Sequence, residues 1–192
     1  MRLLALLAAL LLVPQALGAS VLAGEPGWTP PVDPDSMAVR TGRRPAPLVA
    51  QRFQGGAPSL EALARQLLVA AARGDRAGLS GLCVTRGEFA RILWPEFPQS
   101  RPITGASAED GWYFLARRNT GGVGRILADW QGQELRLVRV ERAGQIARYR
   151  NFRLHRGLTI VARGADGALV AIDDLRTVAE RRGAFKIYSL RD

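Results

Sequence analysis

Cysteine, histidine and lysine each occur once, as Cys83, His155 and Lys186. A single cysteine excludes an internal disulfide, and one cysteine with one histidine excludes a Cys/His zinc cluster. A Ser-His-Asp triad could draw only on His155, and no Gly-x-Ser-x-Gly turn supplies its nucleophile. Cys83 lies in an apolar context and reads as a small buried hydrophobe rather than a nucleophile. With lysine nearly absent, the net charge of +10 rests on arginine. That usage reflects either genome composition or an anion-facing surface. No compact basic run occurs, which argues against specific nucleic-acid binding and leaves at most a weak contact with an anionic surface. Nothing in the composition calls for a cofactor.

What is present begins with an address. Residues 1–19 carry Arg2, an apolar run over residues 3–13 and the small residues Ala16, Gly18 and Ala19. These are the three parts of a secretory signal. Pro14 and Gln15 interrupt the run well short of the ~20 residues of a membrane span. The mature protein is therefore expected in a periplasm or outside the cell. The alternative is a single uncleaved N-terminal membrane anchor. Residues 20–58 are rich in proline and glycine and read as a disordered linker. Within it, Arg40, Arg43 and Arg44 form a basic cluster, and Leu48-Val49-Ala50 is an apolar patch able to dock on the domain.

Residues 59–192 hold the folded domain. Ser59 caps an amphipathic helix with Leu60, Leu63, Leu67, Leu68 and Ala71 on one face, and Gly74 ends it. Asp75 caps a short second helix. Thr85-Arg86-Gly87-Glu88 is a capping box for a third, which Pro95 stops. Ser107 and Asp110 open a long helix carrying Trp112, Leu115, Val123, Ile126, Leu127 and Trp130 on one face. Gly121-Gly122 inside it implies a kink or close backbone packing, since each glycine costs about 1 kcal/mol there. A phosphate-cradling loop at residues 119–124 is the sharper alternative, with no preceding strand to support it. Five β-rich runs follow: residues 134–141, 146–155, 158–163, 168–180 and 184–190. The fourth is long for a strand, which implies a bend or bulge. Short joins at Ala143-Gly144, Asp166-Gly167 and Arg182-Gly183 require antiparallel pairing. Helices first and strands afterwards predict an α+β domain with the helices on one face of a curved antiparallel sheet.

This order of elements resembles the cone of the nuclear-transport-factor-2-like superfamily, a cystatin-like α+β fold. The resemblance rests on Ala71-Ala72-Arg73-Gly74-Asp75, on the closing strand Phe185-Lys186-Ile187-Tyr188-Ser189-Leu190, and on Trp94-Pro95-Glu96-Phe97-Pro98, which looks like that of exported bacterial members. It implies a pocket between the helices and the concave sheet face, and pairing through the outer face as a homodimer. It does not select a chemistry, because that fold hosts isomerases, dehydratases, hydrolases and binding modules.

Trp94, Trp112, Tyr113, Trp130, Arg176 and Tyr188 are the candidate ligand-binding residues. Asp173, Asp174 and His155 are the candidate acid/base groups. Alternation sends one of the two aspartates inward, where a carboxylate needs a partner. An ion pair with Arg176, a general base and an exposed bulge are the three readings. His155 is either a base or a strand-end histidine beside Arg153 and Arg156. The two aspartates lack the further ligands a metal would need. The favoured function is a non-enzymatic exported module binding a small apolar molecule or a partner protein. The alternative is a lyase- or isomerase-like enzyme using Asp173 or Asp174 with His155.

Overall fold

The computed structural model describes residues 46–191, all within the compact unit Asp35–Asp192. The signal-peptide reading, the arginine cluster at 40–44 and most of the linker reading lie outside the described residues. Among the described residues, no helix is long and apolar enough to cross a membrane.

The helices begin where the caps place them. Helix α1 (Leu60–Ala72) opens with the Ser59 hydroxyl accepting the Ala62 N–H, and Leu60, Leu63, Leu67, Leu68 and Ala71 are buried. Asp75 accepts the Gly78 N–H at the start of α2 (Arg76–Gly81). Both halves of the Thr85–Glu88 capping box form at α3 (Arg86–Glu88). The chain then widens into a π turn, Phe89–Leu93, which buries Phe89, Ile92 and Leu93 together. Helix α4 (Ala108–Trp130) starts at a second capping box, Ser107 with Asp110.

Helix α4 continues unbroken through Gly121-Gly122, so residues 119–124 form no phosphate loop. Close packing is the explanation. A Cβ on Gly122 would sit 2.4 Å from Leu190 Cβ and 2.8 Å from the Arg191 carbonyl. One turn earlier, buried Asn119 donates to the Tyr188 carbonyl and accepts the Leu190 N–H. Together they set the helix against the last strand in one register.

Seven strands form among the described residues, in two antiparallel sheets, rather than the five expected. They are β1 (Arg136–Arg142), β2 (Ile146–Arg148), β3 (Arg153–Arg156), β4 (Leu158–Arg163), β5 (Leu169–Ile172), β6 (Leu175–Arg181) and β7 (Ala184–Leu190). The sheets are ordered β1-β4-β5 and β2-β3-β6-β7. The chain passes between them at residues 143–145, at Gly157 and at Asp173-Asp174. These breaks lie side by side: the Ala143 N–H donates to the Gly157 carbonyl, and the Gly157 N–H to the Arg176 carbonyl. The molecule thus holds one antiparallel meander whose long strands are each broken along a common line. Gly157, at φ 61°, turns that corner without the steric cost of a Cβ. The long fourth run is the one that breaks at Asp173-Asp174, and the second is split by the β2–β3 turn.

Two apolar clusters fill the domain. The larger joins α1 and α4 to both sheets through residues such as Leu67, Ile126, Ile160, Val178 and Ile187. The second gathers Phe53, Phe89, Leu93, Phe97, Phe152, Leu154 and Ala179. Val178 and Ala179 are neighbours on β6, so the clusters lie on opposite faces of that strand. The end of the expected linker is built into the fold. Ala46 and Phe53 are buried, Ala57 pairs with Phe185, and residues 82–84 pair with Ile187, which covers the outer edge of β7.

The single lysine has an unexpected place. Lys186 is 2% exposed and its ammonium lies 2.9 Å from the Glu88 carboxylate, itself 1% exposed. Glu88 also accepts the Thr85 and Gln54 N–H groups, and Lys186 donates to the Gln54 carbonyl. Burial alone would raise the Glu88 pKa, but those donors outweigh it and hold the carboxyl below its ordinary range.

Removing one partner of such a buried pair costs about 3–5 kcal/mol, the loss expected for Lys186→Met by urea unfolding. Because the folded Glu88 pKa is depressed, its stabilisation is full above the ordinary glutamate value near 4.5 and is lost as pH falls below it. The variant should therefore lose less stability than the parent on acidification. Gly122→Ala should cost about 1–3 kcal/mol through the Leu190 clash. Gly124→Ala, with open space at its Cβ, should instead gain up to about 1 kcal/mol.

Candidate functional site

Local structure around Trp94 builds an aromatic cleft. Trp94–Glu96 and Pro98–Ser100 are short 3-10 turns, each with a proline in its first two positions. They carry Trp94 and Phe97 toward the sheet. Between them, Glu96 is 1% exposed and accepts three N–H groups: Arg150 backbone at 2.6 Å, Asn151 backbone at 2.8 Å and Asn151 Nδ2 at 2.8 Å. This buried carboxylate clamps the aromatic loop to the β2–β3 turn. Asn151 extends the clamp, accepting the Val49 N–H and donating to the Pro47 carbonyl. Arg181, also buried, donates to the carbonyls of Val49, Gln51 and Asn151.

Phe97 is the hub of the resulting aromatic group. Its ring lies 5.6 Å from Tyr149, 5.8 Å from Phe152 and 5.8 Å from Tyr188. Tyr149 and Phe152 stack at 4.4 Å. A cavity of about 360 Å³ opens beside this group, walled by Phe89, Trp94, Phe97, Pro98, Tyr149, Leu154 and Tyr188, with Gln99 and Arg156 as its polar side chains. Gly111 of α4 completes the wall; a Cβ there would strike the Trp94 indole at 2.5 Å. Burial and the neighbouring Tyr149 push the Tyr188 phenol up to about 12, against the opposing pull of Arg118 and Arg156. The phenol is therefore a hydrogen-bond donor at neutral pH.

Of the candidate ligand-binding residues, the structure brings only Trp94 and Tyr188 to this cleft. Trp112 packs on Phe89 at 5.9 Å and lines a smaller cavity of about 180 Å³ beside Cys83 and Asn119. Tyr113 is 62% exposed beside Phe114, and Trp130 donates toward Asp174 at 3.4 Å, farther along α4. Arg176 is exposed and does not line the cleft.

The acid/base candidates are spread out. Asp174 faces inward, but its partner is Arg125 of α4 at 2.8 and 3.1 Å, not the expected Arg176. The irregular register between Leu175 and Thr177 accompanies the outward turn of Arg176. Asp173 is exposed and pairs with Arg191. His155 is 5% exposed, and its Nε2 lies 2.8 Å from Glu180 Oε2. Its Nδ1 is buried without a partner. His155 and Leu154 are adjacent on β3, so the histidine points away from the face that lines the cleft. No hydrogen bond or ion pair joins His155 to either aspartate among the described residues. Burial pushes the Cys83 thiol up to about 11 despite nearby Lys186, so it remains protonated and unreactive. Among the described residues, no three His, Cys, Asp or Glu side chains converge to hold a metal.

Sequence reasoning missed Glu96, Asn151, Arg156 and Arg181. Glu96 did carry a signal, being a lone acid inside the apolar segment Trp94-Pro95-Glu96-Phe97-Pro98. Comparison with protein-family models, with curated proteins and with solved structures finds no match for this chain.

Glu96→Gln replaces an acceptor facing three donors with a group that must present its own N–H to one of them. Leaving a buried donor unpaired costs about 1–3 kcal/mol. Thermal unfolding should show that loss, while Glu61→Gln, on the partly exposed surface of α1, should leave the melting temperature nearly unchanged.

Proposed function

We propose that this chain is a non-enzymatic binding module that holds a small apolar molecule in the aromatic cleft. One observation carries the reading. The cleft has aromatic walls around about 360 Å³ of space, in the usual range for small-ligand sites. No carboxylate or imidazole lines it, so it offers a binding surface without an acid/base pair. The lyase-like alternative draws no support from the geometry, because Asp173 and Asp174 are held in ion pairs with Arg191 and Arg125, while His155 is hydrogen-bonded to Glu180.

The bent meander with α1 and α4 packed on it supports the cone-like reading and kinship with the nuclear-transport-factor-2-like superfamily. Export through the N-terminal signal belongs to the same reading, as does the homodimer the resemblance implies. A partner protein remains the other occupant; the small molecule is favoured because the cleft is concave and walled by rings rather than flat.

Titration with the neutral dye N-phenyl-1-naphthylamine, followed by its emission, tests the reading. Saturable one-site binding is expected, weakened at least tenfold by Trp94→Ala with the fold intact by circular dichroism. No saturable binding to the parent protein, either of this dye or of an anionic dye with the same aromatic body, would overturn the proposal.

A further inference from the structure

The apolar wall is only part of the cleft. Arg156 and Gln99 supply its polar side chains, and the Tyr188 phenol is a donor within it. Arg156 leaves β3 on the same face as Leu154, two residues before it, and both line the cavity. Many arginines among the described residues face solvent. A free guanidinium is therefore unremarkable by itself; the position of this one is not.

Several other arginines near the sheet are engaged. Arg153 pairs with Glu180, Arg125 with Asp174, and Arg181 with three backbone carbonyls. Arg156 has no carboxylate or carbonyl partner among the described residues. No acidic side chain lines the cleft to neutralise it. Tyr188 Oη likewise has no hydrogen-bond partner among the described residues. A guanidinium fork and a phenol thus stand as unfilled donors among the residues that line an aromatic slot. A guanidinium next to an apolar surface binds carboxylate, sulfonate or phosphate groups in a two-pronged geometry, and more strongly where water is partly excluded.

We infer that the ligand of this cleft is an amphipathic anion, a flat apolar body lying against Phe97, Trp94 and Tyr149 with its anionic group on Arg156 and Tyr188. This inference rests on the binding-module reading of the same cleft and adds the ligand's chemical class. Burial of the flat body supplies affinity, and the anionic group supplies orientation and selectivity.

The test compares two dyes that share a phenylnaphthylamine body. One is neutral N-phenyl-1-naphthylamine and the other is 1-anilinonaphthalene-8-sulfonate, which adds the anion. The readout is the ratio of their affinities for the full chain. The sulfonate is expected to bind about tenfold more tightly at low salt, with the ratio falling as ionic strength rises. Arg156→Gln should bring the ratio close to one, Arg156→Lys should restore part of it, and Arg136→Gln, on the exposed face of β1, should leave it unchanged. Arg156 is exposed, so its substitution is compatible with folding, checked by an unaltered melting temperature. A ratio near one in the parent protein, with saturable binding of the neutral dye, would overturn the anion assignment and leave the binding module standing. A ratio unmoved by Arg156→Gln, or lowered equally by Arg136→Gln, would also overturn it. Failure of both dyes to bind would remove the module itself.

Discussion

The interaction on which most of this structure depends is the buried pair between Lys186 and Glu88. Each ion loses several kcal/mol of hydration on burial, and attraction alone does not return it. The pair persists because its remaining capacity is filled: Glu88 accepts the Thr85 and Gln54 N–H groups, and Lys186 donates to the Gln54 carbonyl. Three remote stretches, ending at Gln54, starting at Thr85 and lying in the last strand, must therefore meet in one register. A shift of β7 by one residue would turn Lys186 to the opposite face and leave Glu88 buried without its cation.

The cleft follows from that constraint. From Glu88 the chain runs through the π turn directly to Trp94, so the origin of the aromatic loop is set by the ion pair. Its far end is set by Glu96, a second buried carboxylate that takes only N–H donors. Buried acids of this kind act as fixed staples, because breaking any one bond exposes an uncompensated charge to an apolar surrounding. Asn151 and Arg181 carry the same logic to residues 47–51. The cleft is thus held by polar groups behind its apolar wall.

Much of the local structure was legible. The caps at Ser59, Asp75, Thr85 and Ser107 work through atoms three residues apart, so they need no tertiary partner to be recognised. The hairpin turns at Asp166-Gly167 and Arg182-Gly183 are local for the same reason. The site was only partly legible. Trp94 and Tyr188 stood out as large amphipathic rings, but Trp112, Tyr113 and Trp130 stood out equally, and helix phase alone does not say which ring meets a cavity. Alternation required one of Asp173 and Asp174 to face inward without saying which; it is Asp174, and its cation is Arg125, far away in sequence, instead of Arg176 nearby. Arg156 was one arginine among many until Leu154 and Tyr188 were placed around it.

By itself the sequence determined the α+β order, the helix starts, the hairpins at Asp166-Gly167 and Arg182-Gly183 and the exclusion of an internal disulfide and a Cys/His zinc cluster, all of which depend on neighbours in the chain or on simple counts; the join at Ala143-Gly144 instead carries the chain from one sheet to the other, since β1 pairs with β4 and β2 with β3. Only the tertiary structure decided that the meander breaks along one line at Gly157 and Asp173-Asp174, that the lone lysine is buried, and that an aromatic slot carries one arginine without a counter-ion among the described residues. Those features depend on which distant groups share a low-dielectric space. Burial strengthens charge interactions and penalises unpaired ones, so their energies do not exist until the chain has folded.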